Sequence, residues 1–328
     1  MNFIIDNPYI YFVFAGFAAL TMGIFYFFDV YLGNKGIYNR PSQAMVVSSV
    51  VPFILGVSTM IFPAWQNPTV GVWLVGMLAG AFLIWANWFY FLIMFPEKGN
   101  RDAEIAEGST ELSLWEGATP VFALVLALAA SSFIVYDDTI SLLQGVGVIL
   151  TVLGLVLFAN AEGFSGISRW SYRVKLIMFT VLASVSQLIQ DILIDHVQTS
   201  GSLSTTEAYL MVSPAIWFGM ASGIVIVFWK KEGYEFKKQW SVMKKYIPLI
   251  FLAELIALAS YASLIVAYSG EHVATAQAIG SSFPILVFLG VTFFPFLRSE
   301  GDDPTSHVGK KMLCILITLI GVVGVILF

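Results

Sequence analysis

Glu254 and Tyr261 stand seven residues apart in an otherwise apolar stretch, a spacing that puts them on one helix face. A carboxyl group there can hold a cation or a proton, and a phenol beside it can donate a hydrogen bond or stack on a ligand. Ser184, Gln187 and Asp191 fall at i, i+3 and i+7 of a second apolar stretch, and Gln277, Ser281 and Pro284 share one face of a third. Trp85, Asn87 and Trp88 cluster in a fourth, where the two rings can grip an aromatic or cationic ligand by stacking or cation–π attraction. Glu116 lies about one turn before Pro120. A charge at the centre of a membrane span costs about 2.5–3.5 kcal/mol on insertion scales, so polar groups at that depth face protein or water. They are the candidate substrate-binding residues. The competing reading of Glu254 is a protonated carboxyl acting as glue between helices. For the tryptophans it is core packing or lipid contact, and for Glu116 it is solvation near the interface.

These groups need long apolar elements to hold them, and the composition supplies them. Of 328 residues, 58% are hydrophobic and 11% are charged, against about 25% charge in soluble domains. This excludes a soluble enzyme, a disordered chain and a nucleic-acid binder. Apolar runs predict ten spans, at 9–30, 43–63, 70–96, 111–131, 139–158, 174–196, 206–229, 246–268, 272–296 and 309–328. They are too long for barrel strands of roughly 9–11 residues, and they leave no room for a separate soluble domain. The N-terminal MNFIIDNPYI lacks a basic leader region, so the first run reads as a retained span.

Every Lys and Arg follows an odd-numbered span. Lys35 and Arg40 follow the first, Lys98 and Arg101 the third, and Arg169, Arg173 and Lys175 the fifth. The lysines of 230–245 follow the seventh, and Arg298, Lys310 and Lys311 the ninth. The positive-inside rule then places both termini outside the cytoplasm, in a plasma (inner) membrane. The lysine-rich segment 230–245 is expected to touch anionic headgroups.

The halves 1–160 and 161–328 repeat one another. Phe17, Leu20, Asp29 and Pro52 recur 162 residues later as Phe179, Leu182, Asp191 and Pro214. The run from Gly117 to Pro120 aligns with that from Ser281 to Pro284, and Gly154 to Phe158 with Gly324 to Phe328. Five spans per half is an odd number, so the halves lie in the membrane with opposite polarity, as in many secondary transporters. The fold expected is an all-α membrane protein of ten transmembrane helices in two inverted five-helix repeats. Four prolines, Pro52, Pro120, Pro214 and Pro284, form two repeat-related pairs. Each removes a backbone donor and is a candidate hinge or a fixed packing kink. Gly76-x-x-x-Gly80 and Gly219-x-x-x-Gly223 read as faces for close helix contact.

The stretch from Pro120 through Phe158, a proline after a small-residue run, a short turn and a Leu- and Gly-rich span, resembles the drug/metabolite transporter superfamily, EamA-like branch. The likeness extends over nearly the whole chain as two five-helix halves, with Asp137-Asp138 where the family usually has Gly-Glu. It implies a central cavity lined by spans 1, 3, 4, 6, 8 and 9.

The functional expectation is a secondary transporter of a small organic metabolite, working by alternating access, with membrane lipids and a coupling proton as further partners. It would act as a monomer or homodimer. The alternative is a non-transporting membrane subunit or scaffold on the same fold. A wet central cavity reaching Glu254 and Gln187 favours the former and a filled core the latter. No phosphate loop, zinc pair or nucleophile elbow occurs in the sequence, so neither enzyme chemistry nor a cofactor is expected. His196, His272 and His307 fall at span ends or in loops, and the lone Cys314 cannot build a zinc cluster, so no metal site is expected.

Overall fold

The computed structural model describes residues 9–61, 65–95, 122, 125–126, 129, 141–161, 170–268, 273–283, 285–286, 289 and 308–327. Among the described residues there are helices and no strands. In chain order they are α1 (Tyr9–Asn34), α2 (Pro41–Met60), α3 (Val70–Met94), α4 (Leu142–Ala161) and α5 (Trp170–Gly201). They continue with α6 (Thr205–Met220), α7 (Lys230–Met243), α8 (Ile247–Tyr268), α9 (Val273–Gly280) and α10 (Val308–Leu327). Seven helices among the described residues are long and apolar enough to cross a membrane. Their outward side chains, such as Leu74, Leu78, Leu313, Leu316 and Ile320, are exposed. Helices apolar on their outer faces as well as their inner ones belong in lipid. The chain is an all-α, multi-pass integral membrane protein.

Lipid tails do not drive apolar helices together, so close contact and interhelical hydrogen bonds must hold the bundle. The sequence supplies both. α3 packs against α5 and α6, α1 against α8, α2 against α6, and α4 against α10. Where α3 meets α6, a Cβ on Gly80 would run into the carbonyl of Ile216, and one on Gly219 into that of Met77. Hydroxyls bridge other pairs. Ser260 Oγ donates to the Ala18 carbonyl at 2.7 Å, tying α8 to α1, and Ser186 Oγ donates to the Ala79 carbonyl at 2.8 Å, tying α5 to α3.

Three elements differ from the sequence expectation. The seventh span is α-helical only to Met220 and then winds as a 3-10 helix over Ala221–Phe228. Runs of that length are uncommon in this geometry. Here the β-branched stretch from Ile224 to Val227 disfavours the α form, and Gly223 is pressed against Ser49, Met45 and Ile84. The ninth span breaks in a turn at Ser281 and Ser282. The proline at 284 cannot donate, and a tighter turn, with Ser282 N–H to the Ile279 carbonyl three residues back at 3.1 Å, takes the place of regular helix. The segment 230–245 is no loop: most of it forms α7. By contrast α2 and α6 run on as helices through the buried Pro52 and Pro214. Pro120, Pro284 and Glu116 lie outside the described residues, as does most of the expected span 111–131, of which Phe122, Val125, Leu126 and Ala129 are helical.

Gly80→Leu is expected to force α3 from α6 and to cost about 1–3 kcal/mol or more, read as a lower thermal midpoint in detergent or loss of the monodisperse peak. Gly16→Ala, where a Cβ meets nothing within 4 Å, should leave both unchanged.

Candidate functional site

The site is built around two acids that the bundle buries on different helices. Glu254 on α8 is 5% exposed and Asp29 on α1 is 1% exposed. Ser48 Oγ of α2 donates to Glu254 Oε1 at 2.7 Å. Pro52 lies one turn on from Ser48, so the bond is made where the helix ladder already lacks a donor. Tyr90 of α3 donates from its hydroxyl to Asp29 Oδ2 at 2.9 Å. Among the described residues Arg40 pairs with Glu232 and Glu235, and no ion pair joins a base to Glu254 or Asp29.

Tyr38 lies beside this pair, in the turn between α1 and α2. Gly36, at φ 64°, lets the chain reverse there, and the Ile37 N–H returns to the Leu32 carbonyl at 2.9 Å. Burial, then the charges of Glu254 and Asp29, push the Tyr38 phenol well above its ordinary range. It therefore stays a neutral donor at any physiological pH.

Two cavities adjoin here. The larger, about 50 Å³ counted as room for the centre of a water molecule, is walled by α1, α3, α5, α8, α9 and the turn that follows α9. Gln187, Ser260, Asn87 and Ser281 are its polar lining. The smaller, about 20 Å³ on the same measure, is bounded by Glu254, Ser48 and Tyr90. They share Met22, Asn87 and Tyr261, and the Tyr261 hydroxyl points to Asn87 Oδ1 at 3.4 Å. A water needs about 10–15 Å³ on this measure and two to four polar partners, so both cavities can be wet. Gln187 is 7% exposed, and its Oε1 has no hydrogen-bond partner. A buried carbonyl left so is costly unless something in the cavity donates to it.

The structure therefore brings Glu254, Tyr261, Asn87, Gln187 and Ser281 to one place. Ser184 is buried on α5 but borders neither cavity. Trp85 and Trp88 do not border them either: both rings pack on Trp229, at 6.4 and 6.2 Å between centroids. Gln277 belongs to α9, and its side chain is outside the described residues, as is Glu116. Sequence reasoning missed Asp29 as a site residue, having read it as a repeat marker near a membrane face, and missed Ser48, Tyr90 and Tyr38. The available signal was that Asp29 is the sole acid in α1.

The fold and site together define a helical multi-pass membrane protein with a small, acid-lined central cavity. No protein-family model matches the chain, and no curated protein matches it. It is similar to a solved structure described as "Crystal structure of protein", with a TM-score of 0.63 over 97% of this chain and 98% of the other. At 13% identity that likeness shows the fold alone.

Two substitutions separate the bonded groups from the orphaned one. Tyr90→Phe, which deletes the donor to Asp29, should lower stability by roughly 1–3 kcal/mol. Gln187→Met, of similar length, removes a buried oxygen with no partner and should be neutral or stabilising. Thermal midpoints of the purified proteins in detergent check both.

Proposed function

We propose that this chain is a secondary transporter that moves a small organic metabolite across the membrane by alternating access. The observation that carries the reading is the pair of adjoining cavities, one bounded by Glu254 and the other by the unpartnered Gln187 Oε1. An acid and an orphaned acceptor on adjoining cavities with room for water suit a ligand site better than a scaffold. Glu254 holds a cationic or zwitterionic substrate group or a coupling proton. Tyr261, Asn87 and Ser281 orient the ligand.

Four of the helix contacts fit an arrangement of two repeats. Exchanging the halves turns the α1–α8 pair into the α5–α3 pair, and it maps α2–α6 and α4–α10 each onto itself. The chain makes all four contacts. Alternating access then has α1 and α8 moving against α3 and α5 about the central cavity. The break at Ser281 and Ser282 and the 3-10 segment Ala221–Phe228 are the places where helices can bend at low cost. In this reading the ends of the chain lie outside the cytoplasm, since the basic residues gather on the opposite face.

The test is flux of a metabolite panel into proteoliposomes holding the purified chain. Glu254→Gln keeps the shape but cannot ionise. It should insert normally and lose flux by at least about tenfold, roughly 1.4 kcal/mol of binding or barrier, or lose the pH dependence of flux. Unchanged flux at every pH would reduce Glu254 to packing glue, and a wild type moving nothing in the panel would favour the scaffold. For orientation, a reporter fused after Phe328 should be active outside the cytoplasm, and cytoplasmic activity alone would overturn that placement.

A further inference from the structure

α7 has two unlike faces. Glu232 and Glu235, the two acids in the segment, turn inward to the Arg40 guanidinium at 3.8 and 3.7 Å. On the same side Gln239 Nε2 donates to the carbonyls of Gly36 at 2.7 Å and Ile37 at 3.3 Å. The outer face carries Lys230, Tyr234, Lys237 and Ser241 at i, i+4, i+7 and i+11, with Lys238 beside them. Tyr234 is 67% exposed and Trp240, at the edge of this face, is 46% exposed. Lys244 and Lys245 continue the positive surface. No acid faces outward along the helix.

The depth of this face follows from helix register. α3 and α6 run side by side, Gly76 against Ala215 and Gly80 against Ile216, and Trp229 reaches Trp85 and Trp88. Lys230 thus comes level with the last turns of α3, where the span meets the polar edge of the membrane. Exposed aromatic rings beside lysines suit that zone, with the rings among glycerol backbones and the ammonium groups among phosphates.

We propose that the outer face of α7 is a docking surface for anionic phospholipid headgroups of the leaflet in which it lies, and that lipid held there clamps the α1–α2 turn. The clamp acts through the inner face, because Gln239 and the Arg40 pairs hold the backbone on either side of Tyr38. The inference needs only the membrane placement and stands whether or not the chain transports.

The full chain is reconstituted in phosphatidylcholine nanodiscs containing either brominated phosphatidylglycerol or brominated phosphatidylcholine at equal mole fraction. The Trp240 contribution is taken as the difference from Trp240→Phe. Brominated phosphatidylglycerol should quench Trp240 more strongly, and the excess should fall at high salt. Each Lys→Gln change among Lys230, Lys237 and Lys238 should lower the local lipid preference by up to about fivefold. Inorganic phosphate added to phosphatidylcholine discs should not protect Trp240 or alter its emission. Equal quenching by the two lipids, or an excess that survives the triple Lys→Gln variant, would overturn the docking surface. Such results would leave the face to neutral lipid or to an acidic protein. Hydrogen exchange at residues 36–40 tests the clamp: it should be slower in phosphatidylglycerol discs, and equal rates would overturn that half.

Discussion

Every polar group inside this bundle has to be satisfied from within, because the faces that meet the bilayer are apolar and offer it nothing. That constraint organises the rest. Glu254 is tolerable in α8 because Ser48 of α2 donates to it, and Asp29 is tolerable in α1 because Tyr90 of α3 donates to it. Four helices are thereby tied to two acids. Among the described residues neither acid has a basic partner to cancel its charge. For Glu254 the remaining ways to lower the cost are a bound proton, water or a cationic ligand, and the small cavity it bounds gives room for them.

The close approach of α3 and α6 is the mechanical counterpart of that chemistry. Glycines at 80 and 219 let the two backbones touch, which no side chain would allow. Beyond that contact Trp229 packs against Trp85 and Trp88, and α7 begins at the next residue. A small-residue pattern in the middle of two spans therefore fixes where an amphipathic helix lies at their ends. Through Gln239 and Arg40 that helix reaches the turn carrying Tyr38, so the rim of the molecule and its central acids share one short stretch of backbone.

The prolines show how differently one residue type acts in different company. Pro52 and Pro214 are buried in helices that continue through them. Ahead of position 284 the helix instead gives way to a turn at Ser281 and Ser282, beside the larger cavity. Missing backbone donors are tolerated in a membrane where protein or a wet cavity replaces them.

The sequence by itself determined that the chain crosses a membrane many times as helices, since run length and charge content follow directly from the bilayer's thickness and polarity. It also marked Glu254, Tyr261, Asn87, Gln187 and Ser281, because a polar residue in an apolar run is conspicuous without any fold. The tertiary structure alone decided who meets whom. Asp29 sits near a span end and looked like a boundary residue until α3 brought Tyr90 to it, 61 positions along the chain. Nothing in the sequence sets Ser48 apart, and it is the fold that places Glu254 of α8 against it, 206 positions away. Trp85 and Trp88 have the spacing of a ligand platform, yet Trp229 covers them. Helical period tells which residues share a face, but which neighbour that face meets depends on packing between helices distant in the chain, and that information is not local. The 3-10 winding after Met220 belongs to the same category: the sequence made the α form weak there, and the pressure of Ser49, Met45 and Ile84 on Gly223 accompanies the tighter coil.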